Sequence, residues 1–91
     1  MLIISYDISD DKIRTKFSKF LQKNGAIRLQ YSVFEVNLIK RKTDVLKTNI
    51  EAIYKKQFEN ADSILIFEVD NGKVIKYGNA IHRDMPLLFF D

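Results

Sequence analysis

Apolar and polar residues in the first half of the chain follow a strand pattern, then a helix pattern, then a strand pattern again. Residues 2–7 (LIISYD) form a short apolar run of the kind found in buried strands. The next apolar residues recur at helical spacing and define one stripe: Ile13, Phe17, Phe20 and Leu21. Asn24 and Gly25 are expected to end this helix. Residues 26–39 (AIRLQYSVFEVNLI) are rich in β-branched and aromatic side chains, which predicts either one long strand or two short ones.

The second half of the chain repeats this alternation. Thr43 is expected to cap a second helix, whose apolar residues are Leu46, Ile50, Ile53, Tyr54 and Phe58. Residues 63–69 (SILIFEV) predict another apolar strand, and Asn71-Gly72 predicts a hairpin turn into a strand at 73–78 (KVIKYG). The segment PLLFF at 86–90 predicts one more strand.

The predicted elements follow the order β-α-β(β)-α-β-β-β, which is typical of an α+β fold. A βαββαβ core with both helices on one face of an antiparallel sheet is the ferredoxin-like arrangement. The length of 91 residues predicts a single domain, residues 1–91. The helices of this fold cover only one face of the sheet, yet several predicted strands are apolar on both faces. We therefore expect a second copy of the chain to cover the other face.

Composition limits the classes of function that are open to the chain. It contains no cysteine and one histidine, His82, which excludes disulfides, thiolate zinc sites and a zinc site built from several histidines of one chain. A metal would therefore have oxygen ligands, which favours magnesium, manganese or calcium. The amino terminus shows no basic leader and only a short apolar run. We therefore expect a soluble, cytoplasmic protein that has no membrane partner.

Basic residues are clustered along the chain, although the net charge is only +3. Phosphate backbones attract such clusters, and a solvated helix face is the alternative interpretation of each one. The clusters are Lys12, Arg14, Lys16, Lys19 and Lys23; then Lys40, Arg41 and Lys42; then Lys55 and Lys56.

Three aspartates follow the first predicted strand in the segment SYDISDDKIRTKF. Asp10 has a structural explanation as a helix cap, and Asp11 has one as a charge in the first helical turn. Asp7 ends the strand and lacks such an explanation. One carboxylate alone makes a poor magnesium site, because the ion takes about six oxygen ligands. Two copies of Asp7 facing each other across a dimer axis would make a better site.

Three motifs together resemble a known family. They are YDISDDKIR at 6–14, LQKNG at 21–25 and RLQYSVFE at 28–35. Over essentially its whole length, the chain resembles the small CRISPR-associated adaptation proteins, which are also called CRISPR-associated endoribonucleases. The resemblance implies a ferredoxin-fold homodimer in which the C-terminal strand, residues 86–91, extends the sheet of the partner. It also implies a sharp turn at Gln30-Tyr31-Ser32, which would divide the long apolar stretch into a hairpin.

The resemblance also implies a set of site residues. Asp7 corresponds to the proposed ligand for Mg²⁺ (or Mn²⁺), one from each subunit. The positions linked with nuclease activity are Tyr6, Arg14, Arg28 and Phe34. Lys16 stands where the family often has arginine, so it keeps the charge but lacks the bidentate fork. The residues expected to bind nucleic acid are Arg14, Lys16, Lys19, Arg28, Lys40, Arg41 and Lys42. Packing in the core is the alternative role for Tyr6 and Phe34, and solvation is the alternative for Arg14.

Two functions follow from this resemblance. In the first, the dimer bridges the large CRISPR-associated integrase and holds double-stranded protospacer DNA during spacer acquisition in antiviral defence. The same dimer has magnesium-dependent endonuclease activity, and single-stranded RNA is a possible substrate. In the second, the dimer is a purely structural, nucleic-acid-binding scaffold without catalytic activity. Both functions belong in the cytoplasm of a prokaryote, and an Asp7 residue is compatible with either of them.

Overall fold

The structure, a computed structural model, describes residues 1–70 and 72–79. In this part of the chain the sheet has the order β2-β3-β1-β4, and all neighbouring strands are antiparallel. The elements are β1 (Leu2–Asp7), α1 (Asp11–Lys23), β2 (Ile27–Gln30), β3 (Val33–Val36), α2 (Lys40–Asn49) and β4 (Ser63–Glu68). This confirms the predicted βαββαβ order and the ferredoxin-like fold, and it confirms that the long apolar stretch is a hairpin. The predicted strand at 86–91 lies outside the described residues, as does His82.

The hydrophobic core lies between the two helices and one face of the sheet, which we call the inner face. Side chains of β1 alternate between the two faces, and Leu2, Ile4 and Tyr6 are buried on the inner one. Phe17 and Leu21 of α1 pack against them with no exposed surface. The apolar stripe predicted for the first helix is therefore its buried face.

Within the described residues, no helix covers the opposite, outer face of the sheet. Ile3, Ser5 and Asp7 of β1 point to it, as the alternation predicts. Leu65 and Phe67 of β4 lie on the same face, since they pair with Ser5 and Ile3, and they are 56% and 49% exposed. Two exposed apolar side chains on β4, beside the partly exposed Ile3 of β1, form the kind of surface that another protein surface covers.

The local signals at both ends of α1 predict the observed structure. Asp10 is the N-cap, and its carboxylate accepts a hydrogen bond of 2.9 Å from the backbone N–H of Ile13. Asp11 lies in the first turn, where its charge complements the helix dipole. Gly25 follows the last turn with a φ of 88°, in the left-handed region that glycine adopts most easily.

The second helix begins and ends differently from the prediction. It begins at Lys40, because the backbone N–H of Thr43 already bonds to Ile39, so Thr43 is inside the first turn and is not a cap. The α-helix ends at Asn49 and continues as one π-helical turn and a short 3₁₀ segment, residues 50–57. The wider π turn buries Ile50 and Tyr54 but leaves Ile53 47% exposed. No helix in the described ranges is long and apolar enough to cross a membrane.

The strand predicted at 73–78 is wrong for the residues that the structure describes. No strand forms there, and the backbone N–H of Lys73 turns back to the carbonyl of Asp70 at 3.1 Å. Lys76 instead forms an ion pair with Glu35 of β3, whose side chain is on the outer face and only 16% exposed. A carboxylate with so little water needs a nearby cation, and Lys76 supplies it by reaching across this face. Asn71 of the predicted turn lies outside the described residues.

Candidate functional site

Asp7 is exposed at the end of β1, on the outer face, opposite Ser63 of β4. Within residues 1–70 and 72–79, no group of three or more potential metal-ligating side chains comes together. One copy of the chain therefore supplies a single carboxylate at this position, while Mg²⁺ takes about six oxygen ligands. A magnesium site at Asp7 fits the donor chemistry only when water and a second copy supply the remaining ligands.

Ser9 fixes the loop that follows Asp7. Its backbone N–H and its hydroxyl both donate hydrogen bonds of 2.9 Å to Asp62, in the loop before β4. The backbone N–H of Glu59 donates to the other carboxylate oxygen at 2.8 Å. The backbone hydrogen bonds from Glu59 and Ser9 hold the pKa of the Asp62 carboxyl below its usual value. The ends of β1 and β4 that carry Asp7 and Ser63 are thereby tied together.

Tyr6 and Phe34 lie in the core, on the inner face. Tyr6 is 5% exposed and Phe34 is fully buried. Their rings stack with centroids 6.2 Å apart, and Phe17 meets Tyr6 edge-on at 5.0 Å. Burial raises the pKa of the Tyr6 phenol, so it stays protonated at neutral pH. The structure therefore places these two predicted site residues and Asp7 on opposite faces of the sheet.

Arg28 of β2 is held on the inner side of the sheet by several contacts. Its guanidinium lies 4.9 Å from the ring centre of Phe34 and 5.9 Å from that of Tyr31. One terminal nitrogen donates a hydrogen bond of 3.0 Å to the hydroxyl of Ser18 in α1. The Nε atom is buried and has no hydrogen-bond partner among the described residues. The cation is thus fixed in position by two aromatic rings and a hydroxyl group.

Arg14 reaches from α1 to the loop after β1. It donates a hydrogen bond of 3.1 Å to the carbonyl of Ile8 and forms an ion pair with Asp11. The hydrogen bond to Asp11 raises the pKa of the Arg14 guanidinium, and the nearby Tyr31 side chain adds to this effect. Tyr31 therefore lies near the guanidinium of Arg28 and interacts electrostatically with that of Arg14.

Tyr31 was missed by the sequence analysis, which used it only to mark a turn. It is 67% exposed at the tip of the hairpin and contacts Arg28. The available signal was a large aromatic residue within a turn, between an arginine and a strand. A turn has no inner face in which to bury such a side chain, so the aromatic ring there needed an explanation.

The lysines of the first basic cluster share the solvent-facing side of α1. They are exposed and follow the helical spacing of one stripe: Lys12, Lys16, Lys19 and Lys23. The second cluster, residues 40–42, occupies the first turn of α2, where Lys40 pairs with Asp44 at 3.2 Å. Lys40 shares a surface depression with Met1 and Asp70, whereas α1 begins close to the other end of β1. Lys12, at the start of α1, therefore lies at the opposite end of β1 from the second cluster.

Comparison with known proteins identifies the family of this chain. The family model described as "CRISPR associated protein Cas2" matches residues 1–76. The βαββαβ sheet and the match over most of the chain define a CRISPR-associated protein with a ferredoxin-like fold. The chain belongs to the CRISPR-associated protein Cas2 family.

Several relatives of this family are similar in sequence. A protein of Methanospirillum hungatei JF-1 named CRISPR-associated endoribonuclease Cas2 1 is 34% identical over 93% of this chain and 85% of its own length. A Chloroflexus aurantiacus protein named CRISPR-associated endoribonuclease Cas2 3 is 40% identical over 92% of this chain and 89% of its own length. For a Synechocystis protein with the same name, the 40% identity covers 63% of this chain and 61% of the relative.

A solved structure has the same fold. The crystal structure of a hypothetical protein from Thermus thermophilus has a TM-score of 0.68 and 31% sequence identity to this chain. The superposition covers 85% of this chain and 88% of the Thermus chain.

Proposed function

We propose that this protein is a homodimeric CRISPR-associated endoribonuclease that cleaves single-stranded RNA with magnesium held by Asp7 from each copy. The observation that carries the proposal is that Asp7 is exposed on the same face of the sheet as the exposed apolar residues Leu65 and Phe67. Two such faces packed about a twofold axis would bury the apolar side chains and allow the two carboxylates to approach each other. The names of the relatives support the choice of reaction.

In this proposal each copy of the chain contributes one negatively charged metal ligand and the contacts that hold this ligand in place. Asp7 supplies one carboxylate per copy, and the link between Ser9 and Asp62 holds the strand end from which it projects. Mg²⁺ or Mn²⁺, when bound, would activate water and neutralise charge at the scissile phosphate. The amino acids that would hold the ion are the two Asp7 residues, with water completing the coordination.

Replacement of Leu65 by Asp is expected to convert the dimer to a monomer and to abolish magnesium-dependent cleavage. A carboxylate at position 65, on the outer face of β4, would be buried without a partner in the proposed dimer, while it remains solvated in the monomer. Light scattering measures the mass, and the degradation of a labelled single-stranded RNA measures activity. Val45→Asp is the matched control, because Val45 is equally exposed but lies on α2.

The control variant is expected to stay dimeric and active. A Leu65→Asp protein that remains a dimer would show that the outer face is not the interface. A monomeric Leu65→Asp protein that cleaves RNA at the rate of the wild type would show that the activity does not need paired Asp7 residues.

The second candidate function is a scaffold that bridges the large CRISPR-associated integrase and holds protospacer duplex DNA during spacer acquisition. The stripe of four lysines on the solvent side of α1 favours it, because lysines spaced along one helix face contact phosphates without reading sequence. This role needs neither a metal nor the exposure of Tyr6 and Phe34. It is compatible with the first function, because the stripe and Asp7 occupy different surfaces.

Replacement of both Lys16 and Lys19 by Ala should lower the salt dependence of duplex binding. Each phosphate contact that is lost reduces the slope of log K against log salt by about one unit, so we expect a reduction of about one to two units. Titration of DNA affinity over a range of salt concentrations measures the slope. The variant with Lys55 and Lys56 both replaced by Ala removes the same charge elsewhere and is the control. Equal slopes for the wild type and the α1 variant would exclude this stripe from the DNA-binding surface.

A further inference from the structure

Tyr31 presents a large aromatic surface at the tip of the β2–β3 hairpin. The residue is 67% exposed, whereas Phe34, whose ring also lies near the guanidinium of Arg28, is buried. A tyrosine ring that stays exposed at a turn contributes little to the stability of the fold, because little of its apolar area is buried on folding. Its contact with Arg28 explains the position of the ring but not its exposure to solvent.

The surroundings of Tyr31 are rigid and positively charged. Arg28 lies 5.9 Å from its ring centre and is itself held by Phe34 and by the hydroxyl of Ser18. Arg14, on α1, interacts electrostatically with Tyr31, and its hydrogen bond to the carbonyl of Ile8 fixes its position. Three elements, α1, β2 and the hairpin turn, thus place two guanidinium groups beside one accessible aromatic ring.

An exposed aromatic ring with cations beside it is the arrangement that binds unpaired nucleotides. Bases of single strands stack on aromatic side chains, and arginines beside the ring contact the phosphates. Bases within a duplex are already stacked on each other and do not offer a free face. The arrangement therefore favours single strands over duplexes, which a row of lysines alone does not.

We propose that Tyr31, with Arg14 and Arg28 beside it, is a stacking site for one unpaired base of single-stranded RNA. We call this group of three residues the Tyr31 platform. It deepens the proposed endoribonuclease function, on which it rests, by naming the residue that selects single-stranded substrate. Because Arg28 lies on the inner side of the sheet, the platform stays accessible when the outer faces of two copies pack together.

The Tyr31 platform lies apart from Phe67, an exposed aromatic residue of β4. Phe67 is 49% exposed, but it lies on the outer face, which the proposed dimer covers. Tyr31 is the exposed aromatic residue that is next to Arg28.

Fluorescence anisotropy tests the platform by measuring the binding of a labelled single-stranded RNA and of a duplex with the same sequence. EDTA is present to remove divalent metal ions, so that the RNA is bound but not cleaved. Tyr31→Ala is expected to weaken binding of the single strand by about 5- to 150-fold, the range for loss of one stacked base. Its affinity for the duplex is expected to change less than about twofold. Tyr31→Phe keeps the ring and should bind the single strand like the wild type. Tyr77→Ala removes another exposed tyrosine and serves as the control.

A second variant reports stacking directly. The chain contains no tryptophan, so Tyr31→Trp introduces a single indole whose emission reports on the platform alone. Saturating single-stranded RNA should quench this emission, and the duplex should leave it unchanged.

Three results would overturn the platform: unchanged affinity of Tyr31→Ala for the single strand, an equal loss of affinity for single strand and duplex, or unchanged Tyr31→Trp emission at saturating single-stranded RNA. Failure of the proposed function has a different signature. The wild type would then show no magnesium-dependent cleavage, while binding of the single strand would still depend on Tyr31.

Discussion

Asp7→Asn should abolish magnesium-dependent cleavage of RNA, with a loss of rate of at least about 100-fold. An amide is a weaker ligand than a carboxylate for a hard cation, and in the proposed dimer the substitution removes both carboxylates together. The fold should be unaffected, because Asp7 is an exposed residue at the end of β1. Cleavage assays with and without Mg²⁺, together with thermal unfolding of both proteins, measure the two effects.

Asp44→Asn is the matched control for this experiment. Asp44 is an exposed carboxylate on α2 that pairs with the exposed Lys40, and such pairs contribute little to stability. Full nuclease activity in purified Asp7→Asn protein would show that the activity has another origin. Loss of cleavage with intact spacer acquisition would separate the endoribonuclease from the scaffold function.

Phe34→Ala is expected to lower the free energy of unfolding by about 3–5 kcal/mol. The ring is fully buried, stacks with Tyr6 and lies against the guanidinium of Arg28, so its removal opens a cavity and leaves Arg28 without one of its supports. A domain of this size is stable by only about 5–15 kcal/mol, so the variant would be close to unfolding. Denaturant unfolding measures the difference between the variant and the wild type.

This result would decide between the two roles that the sequence left open for Phe34. Tyr31→Ala is the comparison, because it removes an exposed ring and should lower the free energy of unfolding by less than about 1 kcal/mol. If Phe34→Ala unfolds at the same denaturant concentration as the wild type but has lost its activity, Phe34 is a site residue and the core explanation is wrong.

The features that could be predicted from the sequence depend on near neighbours in the chain. Asp10 caps α1 because its partner, the N–H of Ile13, is three positions away. The alternation along β1 places Tyr6 and Asp7 on opposite faces, because a strand turns each successive side chain over. The same local rules predict the end of α1 at Gly25 and the apolar stripe that forms the core.

The features that could not be predicted depend on contacts between distant parts of the chain. Lys76 meets Glu35 only after the sheet has formed, so the alternating pattern at 73–78 gives no sign that Lys76 pairs with a carboxylate on the outer face. The start of α2 and the π turn that follows it could not be predicted from the sequence either. Thr43 is a good capping residue, yet the helix begins three residues earlier, and the π turn follows from how Ile50 and Tyr54 reach the core.

The candidate site shows the same division. The sequence motifs group Tyr6, Asp7, Arg28 and Phe34 as one set. In the fold, Asp7 lies on the outer face of the sheet and the other three lie on the inner face. Only the folded hairpin shows that Tyr31 lies against Arg28, because two residues so close in a turn can point in many directions. A single sequence has no means of showing how a second copy completes the surroundings of Asp7.

The two strands that pair with β1 are synthesised at very different times. β1 pairs on one side with β3, which ends at residue 36, and on the other side with β4, which ends at residue 68. The contact between Ser9 and Asp62 that closes this second side spans 53 positions. One edge of β1 is therefore unpaired throughout the synthesis of α2, and unpaired strand edges are the sites at which nascent chains pair with one another. The order of translation thus leaves this edge of β1 without its partner until β4, residues 63–68, has been synthesised.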